Sequence, residues 1–430
     1  MYQYYVEGQT AVYKDLQEQR QICIPVEDSL GMYEARNPTA ITDEDAYAYA
    51  VAHPVNGQRL CEIAKEKHAR TAAIIVSDAT RNVPTKKVSE HLVNELVAGG
   101  VSPENITFFV ALGVHRNATP AEMEDFIGSK LYQNIKIKNH DPYTPANLID
   151  LGFSSRRTPV KLNKEAYECD VKIIVGKVEL HEMAGYSGGR KSILPGVASE
   201  ETILVNHRPE MIFDKGTGAG KTVGNPIHED MLEIAQMFGV DFSVNFVVDN
   251  AGQPAGVFAG GLVEAHKAAT DFLDQFCQVQ LPEKPDIFVI TPGQPLSIDL
   301  YQGVKALIAM QHVIDQSTVV VLYGDFKEGM NSTDFPLPLR KYQDLDEAKA
   351  FAWNNYQIQM DHTLPIIDIL KQKVKVIVCT KNVPAEEIEA IRMVHCSELS
   401  DAMNLAKQMA GKASPKVMFC PHPQRAIIHY

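Results

Sequence analysis

Two histidines, a glycine pair and an adjacent Arg-Lys pair fall within a single stretch, Gly176 to His207, which reads GKVELHEMAGYSGGRKSILPGVASEETILVNH. It follows a short apolar run, Val171 to Val175, that has the character of a buried strand. A third histidine, His115, lies in Gly113-Val114-His115-Arg116, directly after the apolar run Ile106 to Leu112. Histidine titrates near neutral pH and serves as general acid or base with little tuning. His115 and His181, facing each other across a ligand, would be able to take a proton on one side of a carbon and return one on the other. That is one reading of the pair, because a loop histidine is more often simply solvated or hydrogen-bonded.

These residues need elements to place them, and the chain supplies an alternation of short β-branched runs with amphipathic stretches. Ala72 to Ser77, Ile106 to Leu112, Val171 to Val175 and Val244 to Val248 read as strands, with helices near Lys86 to Ala98, Pro120 to Ile127, Ser199 to Met211 and Leu262 to Phe276. After a polar, proline-containing joint at Gln280 to Lys284 a second series begins, with strands at Ile287 to Thr291, Thr318 to Tyr323, Val374 to Cys379 and Lys416 to Cys420. Helical stretches at Val304 to Ile314, Glu347 to Met360, Ala385 to Met393 and Leu399 to Met409 alternate with them. The expected fold class is α/β, in two domains built on mostly parallel sheets, residues 1–279 and 285–430. In such sheets functional residues sit in the loops after the carboxyl ends of strands. Four loops qualify: Ser77-Asp78-Ala79-Thr80-Arg81, Gly113 to Arg116, the stretch from Gly176, and Pro292 to Lys305, which contains Tyr301-Gln302-Gly303-Val304-Lys305.

Composition narrows the possibilities. The 430 residues are 45% hydrophobic and 22% charged, as in an ordinary globular protein of two or three domains. A formal net charge of −13 argues against a nucleic-acid surface or an anionic membrane as main partner. No apolar run approaches the roughly 18 residues of a membrane span, and the N-terminal residues lack an export signal, so the expected location is cytoplasmic. The seven cysteines are scattered, with no two at zinc-ligand spacing. Lys215 to Thr222 resembles a phosphate-binding loop, but Lys215 stands where the first glycine belongs and no strand precedes it.

Taken together, these loops resemble the lactate racemases that carry a nickel-pincer nucleotide. The resemblance rests on Ser-Asp-x-Thr-Arg at Ser77 to Arg81 and Ala-Leu-Gly-x-His-Arg at Ala111 to Arg116. It continues with Glu-x-His-x-x-Ala-Gly-Tyr-Ser-Gly-Gly-Arg-Lys at Glu179 to Lys191, Pro195-Gly196, His207, Gly224-Asn225-Pro226, and Tyr301-Gln302-x-x-Lys305. It implies a two-domain α/β fold with an interdomain active-site cleft and an isomerase that inverts C2 of a 2-hydroxy acid, lactate or a related one. The cofactor it implies is a pyridinium-3-thioamide-5-thiocarboxylic acid mononucleotide holding nickel through a carbon and two sulfurs.

Carried over by position, Lys191 is implied as the covalent attachment point and His207 as the protein's nickel ligand, with Lys191 reaching the metal only through the tethered group. His115 and His181 are implied as the acid/base pair. Asp78, Thr80, Arg81, Tyr186, Ser187, Gly188 and Gly189 are implied to seat the nucleotide. Arg81, Tyr301, Gln302, Lys305 and Trp353 are implied to face the substrate. Separate cofactor-making and nickel-inserting proteins are implied as partners, with no role for nucleic acid or membrane. The alternative function is a nucleotide-binding protein with the same cleft and no racemase activity. Asn82 departs from the pattern, since many relatives have proline there.

Overall fold

The computed structural model describes residues 2–430. Six strands form the sheet of one compact unit, Asn37–Phe276: β1 Ala72–Ser77, β2 Ile106–Ala111, β3 Lys136–Asn139, β4 Val171–Lys177, β5 Phe242–Val248 and β6 Pro254–Gly260. Spatially they run 3-2-1-4-5-6, all parallel except β6, which pairs antiparallel with β5. β1, β2, β4 and β5 are almost wholly buried, so their sequences are continuous apolar runs rather than alternations. Helices cover them. In the helix Lys86–Ala98, Val88, Leu92 and Leu96 recur at four-residue spacing and join one core with Ile74, Val76 and Phe108.

Register fixes where the loops emerge. Val110, Val76, Val175 and Val244 are paired neighbours across β2, β1, β4 and β5. The segments after Ser77, Ala111 and Lys177 therefore leave the sheet at one edge. The strand order reverses between β1 and β4, the position at which open α/β sheets take their ligands, outside the carboxyl ends of the strands.

The second unit joins the residues up to Arg36 to Cys277–Tyr430. Its sheet contains β7 Ile287–Thr291, β8 Val319–Tyr323, β9 Lys375–Cys379, β10 Val394–Cys396 and β11 Val417–Pro421. All are parallel, in the order 10-9-8-7-11, and the strand Ser29–Met32 completes the edge beside β11.

This grouping differs from the expected domain 1–279, whose first residues belong with the C-terminal chain. The antiparallel meander Tyr2–Glu7, Thr10–Asp15, Arg20–Pro25 buries Ala11, Tyr13, Ile22 and Ile24 against Ile287, Val321 and Phe419. The Tyr13 and Tyr323 hydroxyls meet at 2.7 Å, and Tyr13 stacks on Phe419. Two further expectations change locally. The helix expected over Ser199 to Met211 stops at Asn206 and restarts at Pro209–Ile212, because a residue before proline is pushed out of the helical region and Arg208 is extended (ψ 153°). The expected Glu347 to Met360 helix is Leu345–Asn354.

Candidate active site

At the end of β1 the chain makes a single 3₁₀ turn, Ala79–Arg81, capped by Asp78. One carboxylate oxygen of Asp78 accepts from the Thr80 backbone N–H at 2.7 Å and from the Thr80 hydroxyl at 2.5 Å. The other lies 2.8 Å from His115 Nδ1. Asp78 is only 6% exposed, whereas the His115 side chain is 40% exposed. Burial pushes the Asp78 carboxyl up, but the bonds from His115 and Thr80 outweigh it and leave it below its ordinary value. With the Nδ1 proton engaged by Asp78, a neutral His115 carries its lone pair on Nε2, the form of a general base.

The His115 loop is anchored on both sides. Gly113, at φ 54°, donates its N–H to the Gly196 carbonyl at 2.9 Å, and this ties the loop to Pro195-Gly196 of the next segment. Arg116 forks onto Glu122 at 2.9 and 2.6 Å, and Glu122 in turn forms a capping box with Thr119 at the start of the helix Pro120–Ile127.

After β4 the chain folds into a small ladder, Leu180–His181 against Gly185–Tyr186. His181 Nδ1 stands 3.2 and 3.3 Å from the N–H groups of Met183 and Ala184, and 3.6 Å from Glu182 Oε2. In the neutral ring the amides donate to Nδ1; in the protonated ring Nδ1–H has Glu182 to face. Ser187 Oγ donates to the Lys177 carbonyl at 2.8 Å, and Tyr186 donates its hydroxyl to Asp274 at 2.6 Å. Both side chains thus brace the ladder.

The turn that follows, Gly189–Ser192, carries Lys191, which is half-buried. Gly188 (φ 73°) and Gly189 (φ 51°) lead into it in the left-handed region. A side chain at Gly189 would place its Cβ 2.7 Å from the His266 ring, so only glycine fits that approach. Asn245 of β5, fully buried, accepts the Gly189 N–H at 2.8 Å. Arg190 is 1% exposed and points inward. Its Nη1 lies 2.8 Å from His266 Nε2, which also lies 2.9 Å from the Ser187 carbonyl. Arginine can only donate, so Nε2 is the acceptor and the Ser187 approach is a contact rather than a bond. Burial, followed by the Arg190 charge, holds His266 well below its usual value and His228 down to about 3, so both rings are neutral.

His207 caps the helix Glu200–Asn206 and is 8% exposed. Its Nδ1 donates to the Ile203 carbonyl at 3.0 Å, which fixes the lone pair on Nε2, the nitrogen a metal would take. The preceding Asn206 is tied to the buried Asp230 at 2.8 Å, and Asp230 also accepts from Ser154 at 2.5 Å and Thr158 at 2.7 Å. Among the described residues no three His, Cys, Asp or Glu side chains are grouped as a metal cage. His207 suits a one-point ligand to a metal whose other ligands arrive with a bound group.

The loop that looked like a phosphate cradle follows the helix Pro209–Ile212 instead of a strand, and Lys221 Nζ donates to the Lys215 carbonyl at 3.2 Å. In the other unit, Tyr301 and Gln302 lie in the helix Leu300–Gly303 after β7, capped by Asp299, and Lys305 opens the helix Lys305–Ala309. Tyr301 donates to Asp361 at 3.1 Å, and its carbonyl lies 2.9 Å from His362 Nδ1. Trp353 lines a surface groove of about 340 Å³ formed by residues of its own helix, Leu345–Asn354.

Comparison with known proteins identifies the family. A model described as the lactate racemase N-terminal domain matches residues 16–220, and the lactate racemase C-terminal domain matches 281–428. The chain belongs to the lactate racemase family. Its members are isomerases. The lactate racemase of Lactiplantibacillus plantarum is 30% identical over 312 residues, 72% of each chain. That of Thermoanaerobacterium thermosaccharolyticum is 29% identical over 396 residues, 90% of this chain and 91% of that one. The lactate racemase apoprotein structure from the latter organism superposes with a TM-score of 0.88 at 25% identity over the whole of both chains. A Thermotoga maritima protein at 17% identity and TM-score 0.67 shares the fold, covering 91% of this chain and 99% of that one.

Within this lactate racemase fold, Asn82 has φ 46°. Proline is locked near −65° and cannot adopt that angle, so the turn after Arg81 as it stands here does not accept proline. Asn245, His266 and Asp230 escape a sequence reading. The one local signal was Asn245 itself, a polar residue inside the apolar run FSVNFVV.

Proposed function

We propose that the protein inverts C2 of a 2-hydroxy acid, lactate or a close relative, with a nickel-pincer nucleotide attached to Lys191 and nickel bound by His207. The observation that carries this reading is the Asp78–His115 pair at the switch point, a general base with its lone pair fixed on Nε2. When bound, the group would supply a hydride acceptor, so that C2 can lose its hydrogen without leaving a carbanion beside a carboxylate.

The chain's own residues do the rest. His115 takes the substrate hydroxyl proton at Nε2 while Asp78 stabilises the imidazolium that results. The carbon becomes planar as a 2-keto acid. After the carbonyl has turned, His181, with Glu182 beside it in the protonated form, gives a proton back. Gln302 and Lys305 are the proposed carboxylate holders, a planar amide and a fixed cation. Thr80 acts through Asp78, and Asp78 is assigned to orienting His115 ahead of seating the nucleotide. Arg81, Tyr186, Ser187, Gly188 and Gly189 remain the proposed surroundings of the nucleotide, and Tyr301 and Trp353 of the substrate. Loading depends on cofactor-making and nickel-inserting proteins.

The test is racemisation of a single enantiomer of lactate carrying deuterium at C2, run in ordinary water with loaded protein. Racemisation with the deuterium retained is expected, since hydrogen that leaves as hydride does not exchange with solvent. Racemisation with washout of the label would refute the hydride route. The same assay across larger 2-hydroxy acids defines the substrate.

A further inference from the structure

We propose that Arg190 is the positioning residue that sets where Lys191 stands, through a buried clasp completed by His266. The inference rests on Lys191 being the point of cofactor attachment. Arg190 Nη2 donates to the carbonyls of Ala184 at 2.7 Å and Tyr186 at 2.8 Å, and Nη1 reaches the Gly188 carbonyl at 3.4 Å and His266 Nε2 at 2.8 Å. One guanidinium thus joins the ladder that carries His181, the glycine turn, and the helix Leu262–Cys277.

Consecutive residues of a 3₁₀ turn project about 120° apart. Driving Arg190 inward therefore turns Lys191 away from the clasp, and its side chain is half-exposed. The backbone is held at the same point, by Asn245 on the Gly189 N–H and by the His266 ring against Gly189 Cα. The electrostatics agree with the geometry. Burial lowers Arg190 only to about 9, so it stays charged at neutral pH; burial first, and then that charge, hold His266 neutral, the one state in which Nε2 can accept. Nε is buried without a hydrogen-bond partner among the described residues, so the clasp works through the two-nitrogen fork, which lysine lacks.

The experiment compares Arg190→Lys, His266→Leu and His266→Gln in the full chain. One readout is amide hydrogen exchange on unloaded protein; the other is the fraction carrying the nucleotide, by intact mass, after co-production with the cofactor-making and nickel-inserting proteins. Losing a hydrogen bond to a charged group predicts exchange at Tyr186 to Lys191 faster by about ten-fold or more in Arg190→Lys and His266→Leu, with β1 and β2 unchanged. The loaded fraction falls by about ten-fold in both variants on the same basis. His266→Gln, whose side-chain oxygen can stand in for Nε2, restores both readouts. Unchanged exchange in Arg190→Lys and His266→Leu would overturn the clasp, and faster exchange with undiminished loading would overturn its positioning role. A wild type that carries no nucleotide would refute the attachment at Lys191 instead, while the exchange measurement still decided for or against the clasp.

Discussion

Replacing Asp78 by asparagine separates orientation of His115 from simple occupation of the site. The Thr80 backbone N–H and hydroxyl both point at one carboxylate oxygen, at 2.7 and 2.5 Å. In Asp78→Asn the amide oxygen must take that place, because a buried backbone donor would otherwise lose its acceptor. The amide NH₂ then faces His115 Nδ1 from the position now 2.8 Å away. Nδ1 must accept, the ring proton moves to Nε2, and the base is lost. A hydrogen bond to a charged group contributes on the order of 1.5–3 kcal/mol, and the lower end applies to a ring that is 40% exposed. Asp78→Ala, which removes orientation without imposing the wrong tautomer, is therefore expected to lower kcat by about ten-fold. Asp78→Asn is expected to lower it further, by about 100-fold or more, as the wrong tautomer does elsewhere. The assay is racemisation by protein shown by mass to be equally loaded. Equal rates for the two variants, or a faster Asp78→Asn, would refute the tautomer reasoning.

The same carboxylate predicts a pH effect on folding. Because its folded pKa is depressed below 3.8, its stabilising contribution is complete above that value and is lost as pH falls through the lower folded value. Wild type and Asp78→Asn should differ in urea midpoint at pH 5 and converge toward pH 2. At φ 46°, Asn82→Gly should leave the melting temperature almost unchanged, whereas Asn82→Pro should destabilise the unit by roughly 1–3 kcal/mol or more. Lys221→Ala, which removes only a bond to the Lys215 carbonyl, should leave the racemisation rate within about two-fold and confer no change in ATP response. A large loss would revive the phosphate-loop reading.

The central strands were legible because buried parallel strands are unbroken apolar runs: AAIIVS, ITFFVA and IFVIT announce themselves without context. So were the loops after them, since parallel βα architecture delivers loop residues to one edge. The N-terminal meander was not legible. YQYYVE and RQICIP expose alternate or most residues, and what makes them strands is pairing with Thr10–Asp15, which itself packs against chain some 310 residues away, as in Tyr13 on Tyr323. The pairing of Asp78 with His115 joins loops 37 residues apart, and nothing in either motif states it. The break before Pro209 was written in the sequence, by a proline that forces Arg208 out of the helix.

Intact-protein mass together with nickel content, on wild type and Lys191→Ala co-produced with the cofactor-making and nickel-inserting proteins, tests the central claim most directly. The account predicts an added nucleotide mass with about one nickel per chain in the wild type, and neither in Lys191→Ala, as expected for a metal held chiefly by a tethered group. A wild type with no adduct and no nickel, or an adduct that persists in Lys191→Ala, would contradict it.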